Sequence, residues 1–175
     1  MTTTATITPT GVAREFGKDE LIVTKTDLKG RILYANRLFV ELSGYPEHEV
    51  VGRPHSMVRH PDMPRCIFEL LWRSIQAGEE IFAYVKNLSA NGDHYWVFAH
   101  VTPSYDEHGE VIGYHSNRRS PDAAALAKVE ELYAKLLEAE AREDTALAAV
   151  GAGARRLAEE VAAYGKPYEE MVHEL

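Results

Sequence analysis

The 175-residue chain contains a single cysteine, Cys66. This excludes an intramolecular disulfide framework and a multi-cysteine metal site, and a cytoplasmic location is expected. Basic residues are outnumbered, with 19 Lys and Arg against 27 Asp and Glu and a formal net charge of −8. A general nucleic-acid binder needs a basic face to displace counterions, so that class is not expected. No apolar run approaches the roughly 20 residues that span a bilayer. The opening MTTTATITPT lacks the basic stretch and apolar core of a secretory signal. Membrane insertion is therefore not expected. A P-loop, a GxGxxG turn and a GxSxG elbow are also missing, and no enzymatic activity is expected. Internal repeats and low-complexity tracts are absent.

What is present is a chain 45% hydrophobic, as in globular proteins, and long enough for one cored domain plus an appendage. Residues 1–18 are Thr-rich and weakly patterned, as in a flexible leader, with a short helix expected around Gly11–Phe16. A domain is expected over residues 19–120. It begins with a short β-rich run, Leu21–Thr24, an Asp27–Gly30 turn and a second run, Arg31–Ala35, which together predict a hairpin. "NRLFVELSGY" predicts a short helix opened by Asn36 and ended by Gly44. "PRCIFELLWRSIQAG" places Ile67, Phe68, Leu71, Trp72 and Ile75 at helical spacing and stops at Gly78. "IFAYVKNL", "HYWVFAHVTPSY" and "VIGYHSNRR" predict three strands, the first two joined through Asn91-Gly92. The fold class is α+β: a five-stranded antiparallel sheet with short helices inserted after the second strand, plus C-terminal helices.

Residues 121–175 differ in character. They are rich in Ala, Leu, Glu and Lys, with Leu126, Val129, Tyr133 and Leu136 forming a 3-4 stripe that Glu140 and Glu143 interrupt. Gly151 and Gly153 are expected to weaken or kink the helix, a second helix is expected over Arg155–Tyr164, and a short tail follows. The stripe calls for a cover: a homo-oligomer, most simply a dimer, through these helices is expected, and the alternative is that the stripe folds back onto the sheet of its own domain.

The stretch "GRPHSMVRHPDMP", residues 52–64, suits neither helix nor strand. Its prolines fix the backbone on either side of Arg59-His60. Arg59 offers a planar fork of donors suited to a phosphate, and His60 adds a donor or a ring to stack. The alternative is a plain connecting loop in which Asp62 caps the helix beginning near Pro64.

Element order and residues together resemble a PAS domain, in particular the FAD-binding sensor domain of Aer-type aerotaxis receptors. The resemblance runs from about Leu21 to Arg118 and rests on "YANRLFVELSGY", "GRPHSMVRHPDMP", "VKNLSANGDHYWV" and "GYHSNRR". "VRHPDMP" followed by a helix containing Trp72 is its most specific part. It implies a cytoplasmic redox or oxygen sensor with non-covalently held FAD, signalling through C-terminal helices to a partner such as a chemoreceptor or kinase. It also implies that Arg59, His60 and Asp62 affect FAD binding. Asn36 and Asn87 are expected to meet the flavin ring, where a carboxamide can donate and accept at once. The alternatives are a helix N-cap for Asn36 and an exposed strand position for Asn87. Ile81 stands where the family pattern has a tryptophan. It keeps an apolar wall without the aromatic face, which Phe82 or Trp72 could supply.

Two other chemistries are weighed. A photosensor that forms a flavin–cysteine adduct needs a cysteine after "GR", where this chain has Pro54-His55; Cys66 lies further on and is expected to be a buried small residue. A haem-binding gas sensor needs an axial histidine, with His48, His55 and His60 as candidates. His94, His100 and His115 match no zinc spacing. A cofactor-free dimerisation or interaction module is the remaining alternative.

Overall fold

The computed structural model describes residues 7–175. A hairpin of β1 (Ile22–Thr26) and β2 (Ile32–Ala35) leads into α1 (Arg37–Ser43), α2 (Glu47–Val50), one 3-10 turn (His55–Val58) and α3 (Arg65–Gln76). Strands β3 (Ile81–Leu88), β4 (His94–Tyr105) and β5 (Val111–Arg119) follow, then α4 (Ala123–Ala141), α5 (Ala146–Tyr164) and α6 (Tyr168–Glu174). The strands form one sheet in the order β2-β1-β5-β4-β3, and every pair is antiparallel. The opening hairpin docks on the last strand, with Ile22 opposite Arg118 and Thr26 opposite Tyr114. The α+β fold expected from the sequence is thus observed.

Strand alternation gives the sheet two faces. The inner face carries Thr24, Val85, Asn87, Ala99 and Ser116 and lies against the helices inserted after β2. The outer face carries Phe82, Tyr84, Trp96 and Phe98, and the C-terminal helices lie against it. Burial on both faces explains why β3 reads as nearly continuous apolar sequence rather than as alternation.

This outer packing corrects the expected oligomer seam. The stripe exists, but its own sheet covers it: Val129 and Leu136 are fully buried and Tyr133 nearly so. The Tyr133 hydroxyl donates to the Tyr84 carbonyl at 2.6 Å, and its ring lies 5.9 Å from that of Trp96. From α6, the Tyr168 hydroxyl donates to the Phe82 carbonyl at 2.9 Å. With the stripe satisfied within one chain, the argument for a helical dimer falls away.

Three further expectations change. Helix α5 begins at Ala146 and runs through Gly151 and Gly153 without a break, and the expected tail folds as α6. Of the expected leader, residues 1–6 lie outside the described residues. The following stretch is not free: Thr10 N donates to Gly92 O at 2.8 Å, His94 N to Val12 O at 2.9 Å and Arg14 N to His94 O at 2.7 Å. Arg14 also pairs with Asp93 at 3.1 Å. Extended pairing to the start of β4 satisfies this backbone, so the helix expected around Gly11–Phe16 does not form. No helix among the described residues is long and apolar enough to cross a membrane.

Truncating Leu136, which is 0% exposed, should cost about 2–5 kcal/mol as Leu136→Ala. Tyr133→Phe should cost roughly 0.5–1.5 kcal/mol, the value of one hydrogen bond. Urea unfolding monitored by circular dichroism checks that order.

Candidate functional site

Between the inner face of the sheet and α3 lies a cavity of about 410 Å³. Thr24, Val85, Asn87, Ala99, Ser116 and Arg118 line it from the strands, Phe68 and Trp72 from α3, and His55 and Arg59 from the proline-bracketed loop. The wall is apolar with a few convergent polar groups, as in small-molecule sites. A second cavity of about 710 Å³ adjoins it, lined by Arg53, Arg59, His60, Arg65 and Tyr45 among others. The two share Pro54, Ser56, Arg59 and Arg65.

Arg118 sets the electrostatics. It lies on the central strand β5, is 6% exposed, and has no carboxylate partner among the described residues. Its Nη2 donates to Thr24 Oγ1 at 2.9 Å and to His55 Nε2 at 2.6 Å. Arginine only donates, so His55 must present a lone pair at Nε2 and is a neutral imidazole. Burial, reinforced by the Arg118 charge, pushes the His55 pKa down to about 3. Burial lowers Arg118 itself to about 10, which leaves it cationic at neutral pH. Arg118 Nη1 and Ser116 Oγ are buried without a hydrogen-bond partner in the protein. Both residues line the inner cavity.

The loop chemistry is visible atom by atom. Arg59 lies between the two cavities, its Cζ 4.1 Å above the Phe68 ring, and its backbone bridges to Asn87 at the sheet edge. Burial, then the neighbouring Arg65, lowers its pKa. His60 is almost fully buried on the outer cavity, and its Nδ1 accepts from the Asp62 backbone N at 3.1 Å. Burial and the nearby Lys86 charge bring His60 down to about 4. Asp62 does not cap α3; its exposed carboxylate faces Lys86 Nζ at 3.4 Å. The cap comes from α4, where Glu140 accepts from the Arg65 and Cys66 backbone N atoms, each at 2.9 Å.

The expected site residues therefore separate. Arg59, Trp72 and Asn87 line the inner cavity, and Arg59 and His60 the outer one. Asn87 is 4% exposed, which rules out the exposed strand position. Asn36 lines neither: its Oδ1 accepts from Phe39 N and Val23 N, and its Nδ2 donates to Leu21 O at 2.7 Å. It is the helix N-cap and also ties α1 to β1. Ile81 belongs to a small core with Ile75, Val101 and Tyr114 and does not line the inner cavity. Trp72 supplies the aromatic wall instead, edge-on to Tyr114 with ring centres 5.8 Å apart. Gly30 makes room for it: φ is +75°, and a Cβ there would lie 2.8 Å from the indole. Phe82 faces outward, stacked on His100 at 4.1 Å. Cys66 is buried, as expected. Thr24, Ser116 and Arg118 are not expected site residues, and His55, a candidate axial haem ligand, meets Arg118 instead. Strand alternation in "VIGYHSNRR" puts Tyr114, Ser116 and Arg118 on one face, which is the signal that could have found them.

The family model described as "PAS fold" matches residues 32–118. Residues 32–118 form a PAS domain. The chain is 44% identical over 118 residues to the aerotaxis receptor of Escherichia coli, covering 67% of this chain and 23% of the receptor. It is 30% identical over 148 residues to a blue-light-activated histidine kinase of Rhizobium johnstonii, covering 79% of this chain and 41% of the kinase. It thus spans less than half the length of either relative. Among solved structures, the PAS domain of a Colwellia psychrerythraea protein matches with a TM-score of 0.53 and 22% identity, over 58% of this chain and 86% of that one. A light-oxygen-voltage domain studied with a flavin analogue matches with a TM-score of 0.55 and 23% identity, over 63% and 85% respectively. These two structural likenesses establish the fold of the PAS domain.

The His55–Arg118 pair predicts a specific pH response. The folded-state pKa of His55, about 3, lies below the ordinary value of 6.5. Its contribution to stability is therefore complete above about pH 6.5 and is lost as pH falls toward 3. His55→Gln keeps an acceptor for Arg118 but does not titrate. Its unfolding free energy, compared with that of the parent chain, should fall less steeply across that window; parallel curves would contradict the assignment.

Proposed function

We propose that this PAS domain holds a flavin, FAD in preference to FMN, and serves as a cytoplasmic redox or oxygen sensor that signals to a partner protein. The observation that carries this reading is the buried, carboxylate-free Arg118, which lines a largely apolar cavity together with Ser116; Nη1 of the one and Oγ of the other have no hydrogen-bond partner in the protein. A buried cation of this kind favours a ligand that presents acceptors or negative charge. When bound, a flavin supplies a reversible two-electron couple whose ring system gains negative charge on reduction.

The residues fit such a group. Asn87 offers a donor and an acceptor, and Trp72 and Phe68 offer aromatic surface. His55, held neutral, adds no competing positive charge. Arg53, Arg59, His60 and Arg65 line the adjoining cavity and suit a diphosphate, which is the reason for preferring the dinucleotide. The resemblance of "VRHPDMP" to the Aer pattern, and the 44% identity to an aerotaxis receptor, support the same reading. For haem, His55 of the inner cavity gives its Nε2 lone pair to Arg118, and His60 of the outer one gives its Nδ1 lone pair to Asp62 N.

The sensor reading is non-enzymatic. The one hydroxyl near an imidazole in the inner cavity, Thr24 Oγ1 at 3.4 Å from His55 Nε2, shares that nitrogen with Arg118 Nη2 at 2.6 Å. The relatives' names, a receptor and a histidine kinase, support an output through a partner or a following domain of that kind.

The purified protein should be yellow, bleach with dithionite and recover in air, and the ligand released by heat should be FAD. Arg59→Ala should weaken FAD by roughly 1.5–3 kcal/mol, the value of a charged hydrogen bond, and FMN by less. A colourless protein that takes up no flavin on reconstitution would refute the reading.

A further inference from the structure

The C-terminal helices do more than cover the outer face of the sheet. Val150, on α5, lines the inner cavity beside Arg65, Phe68 and Glu69 of α3. One turn later Gly153 presses into the first turn of α3. A Cβ at Gly153 would lie 2.5 Å from Glu140 Oε1 and 2.8 Å from Cys66 Sγ, so any larger residue there would have to displace one of these groups or α5 itself.

The other half of the contact is Glu140. The first N–H groups of a helix have no partner within it, and Pro64 provides no side-chain cap for α3. Glu140, 7% exposed at the end of α4, accepts from both Arg65 N and Cys66 N. These bonds pin the α4–α5 joint to the helix that forms one wall of the cavity. Joints bound α5 at both ends: Arg142–Thr145 before it, and the Gly165–Pro167 turn after it. Tyr133 and Tyr168 meanwhile fix α4 and α6 to β3. Helix α5 is thus the one C-terminal helix that lines the inner cavity, and it lies between two non-helical joints.

We propose that α5 is a lid on the inner cavity, seated through Gly153 on Cys66 and on the Glu140 carboxylate that caps α3, and that the ligand enters and leaves when α5 lifts. This rests on reading the cavity as a cofactor site. A closed lid slows exchange of a non-covalent ligand without adding a contact to it, because release requires opening first.

Cys66 reports on the lid without any ligand. It is the only cysteine in the chain, is 2% exposed, and lies beneath Gly153. The test is the rate at which a disulfide reagent labels Cys66, in protein with and without added FAD, together with the rate of FAD release followed by fluorescence. Gly153→Val should wedge α5 off α3 while leaving the Glu140 charge in place. Labelling and FAD release should both quicken by about tenfold or more, equivalent to about 1.4 kcal/mol of lost closure. Added FAD should slow labelling in both proteins. Leu147→Ala, at an 85% exposed position on α5, should change neither rate.

A folded Gly153→Val protein with parental rates would overturn the lid. Should that variant fail to fold, Glu140→Gln decides. It removes the charge and leaves one amide oxygen to serve two N–H groups. Hydrogen exchange should then quicken in α5 as well as at the start of α3, and unchanged exchange in α5 would overturn the lid. A parent protein that takes up no flavin refutes the cofactor reading alone, while Cys66 labelling still tests whether α5 opens.

Discussion

The structure is organised around a cation kept out of water. Placing the Arg118 guanidinium on the inward side of a central strand carries a desolvation penalty of several kcal/mol. The fold meets part of that penalty with neutral acceptors, Thr24 Oγ1 and His55 Nε2. Those two groups come from β1 and from the proline-bracketed loop, 31 residues apart. Their convergence fixes the opening hairpin, the proline-bracketed loop and the last strand relative to one another. What they leave unmet is Nη1, on a residue that lines the cavity. The guanidinium's shell of acceptors is therefore incomplete within the protein.

Strand β3 links this interior to the outside of the molecule. Its Asn87 side chain lines the cavity and its backbone at that residue meets Arg59. Two turns of pleat away, the carbonyls of Phe82 and Tyr84 receive hydroxyls from α6 and α4. A second route runs through α3, whose Trp72 walls the cavity and whose first turn is held by Glu140. The cavity and the C-terminal helices therefore share two rigid elements, with no long loop between them.

Much of the fold was legible in the sequence because local signals agreed. The last three strands fall where "IFAYVKNL", "HYWVFAHVTPSY" and "VIGYHSNRR" place them, since turn residues and β-rich runs mark the same limits. Trp72, Asn87 and Arg59 could be anticipated from motif and spacing. The failures involve partners distant in sequence. Glu140 looks like a break in an apolar stripe because its two N–H donors lie 75 and 74 residues away. Gly153 looks like a helix breaker, although its role is close approach to another helix. Asn36 looks like a ligand partner until β1 takes up its second set of bonds. Arg118 passed unremarked because a charge on a strand normally faces solvent.

The two tyrosine hydroxyls on β3 have a consequence for solubility. β3 ends the sheet on its side, and an unprotected edge strand offers its carbonyls and N–H groups to any passing strand. Here Tyr133, Tyr168 and the Arg59 bridge occupy that edge, while Phe82, Tyr84 and Phe98 lie under the same helices. A chain cut after residue 120 would present a bare edge beside an aromatic face, a pattern that promotes edge-to-edge association. The C-terminal helices thus protect the PAS domain from pairing with its own copies.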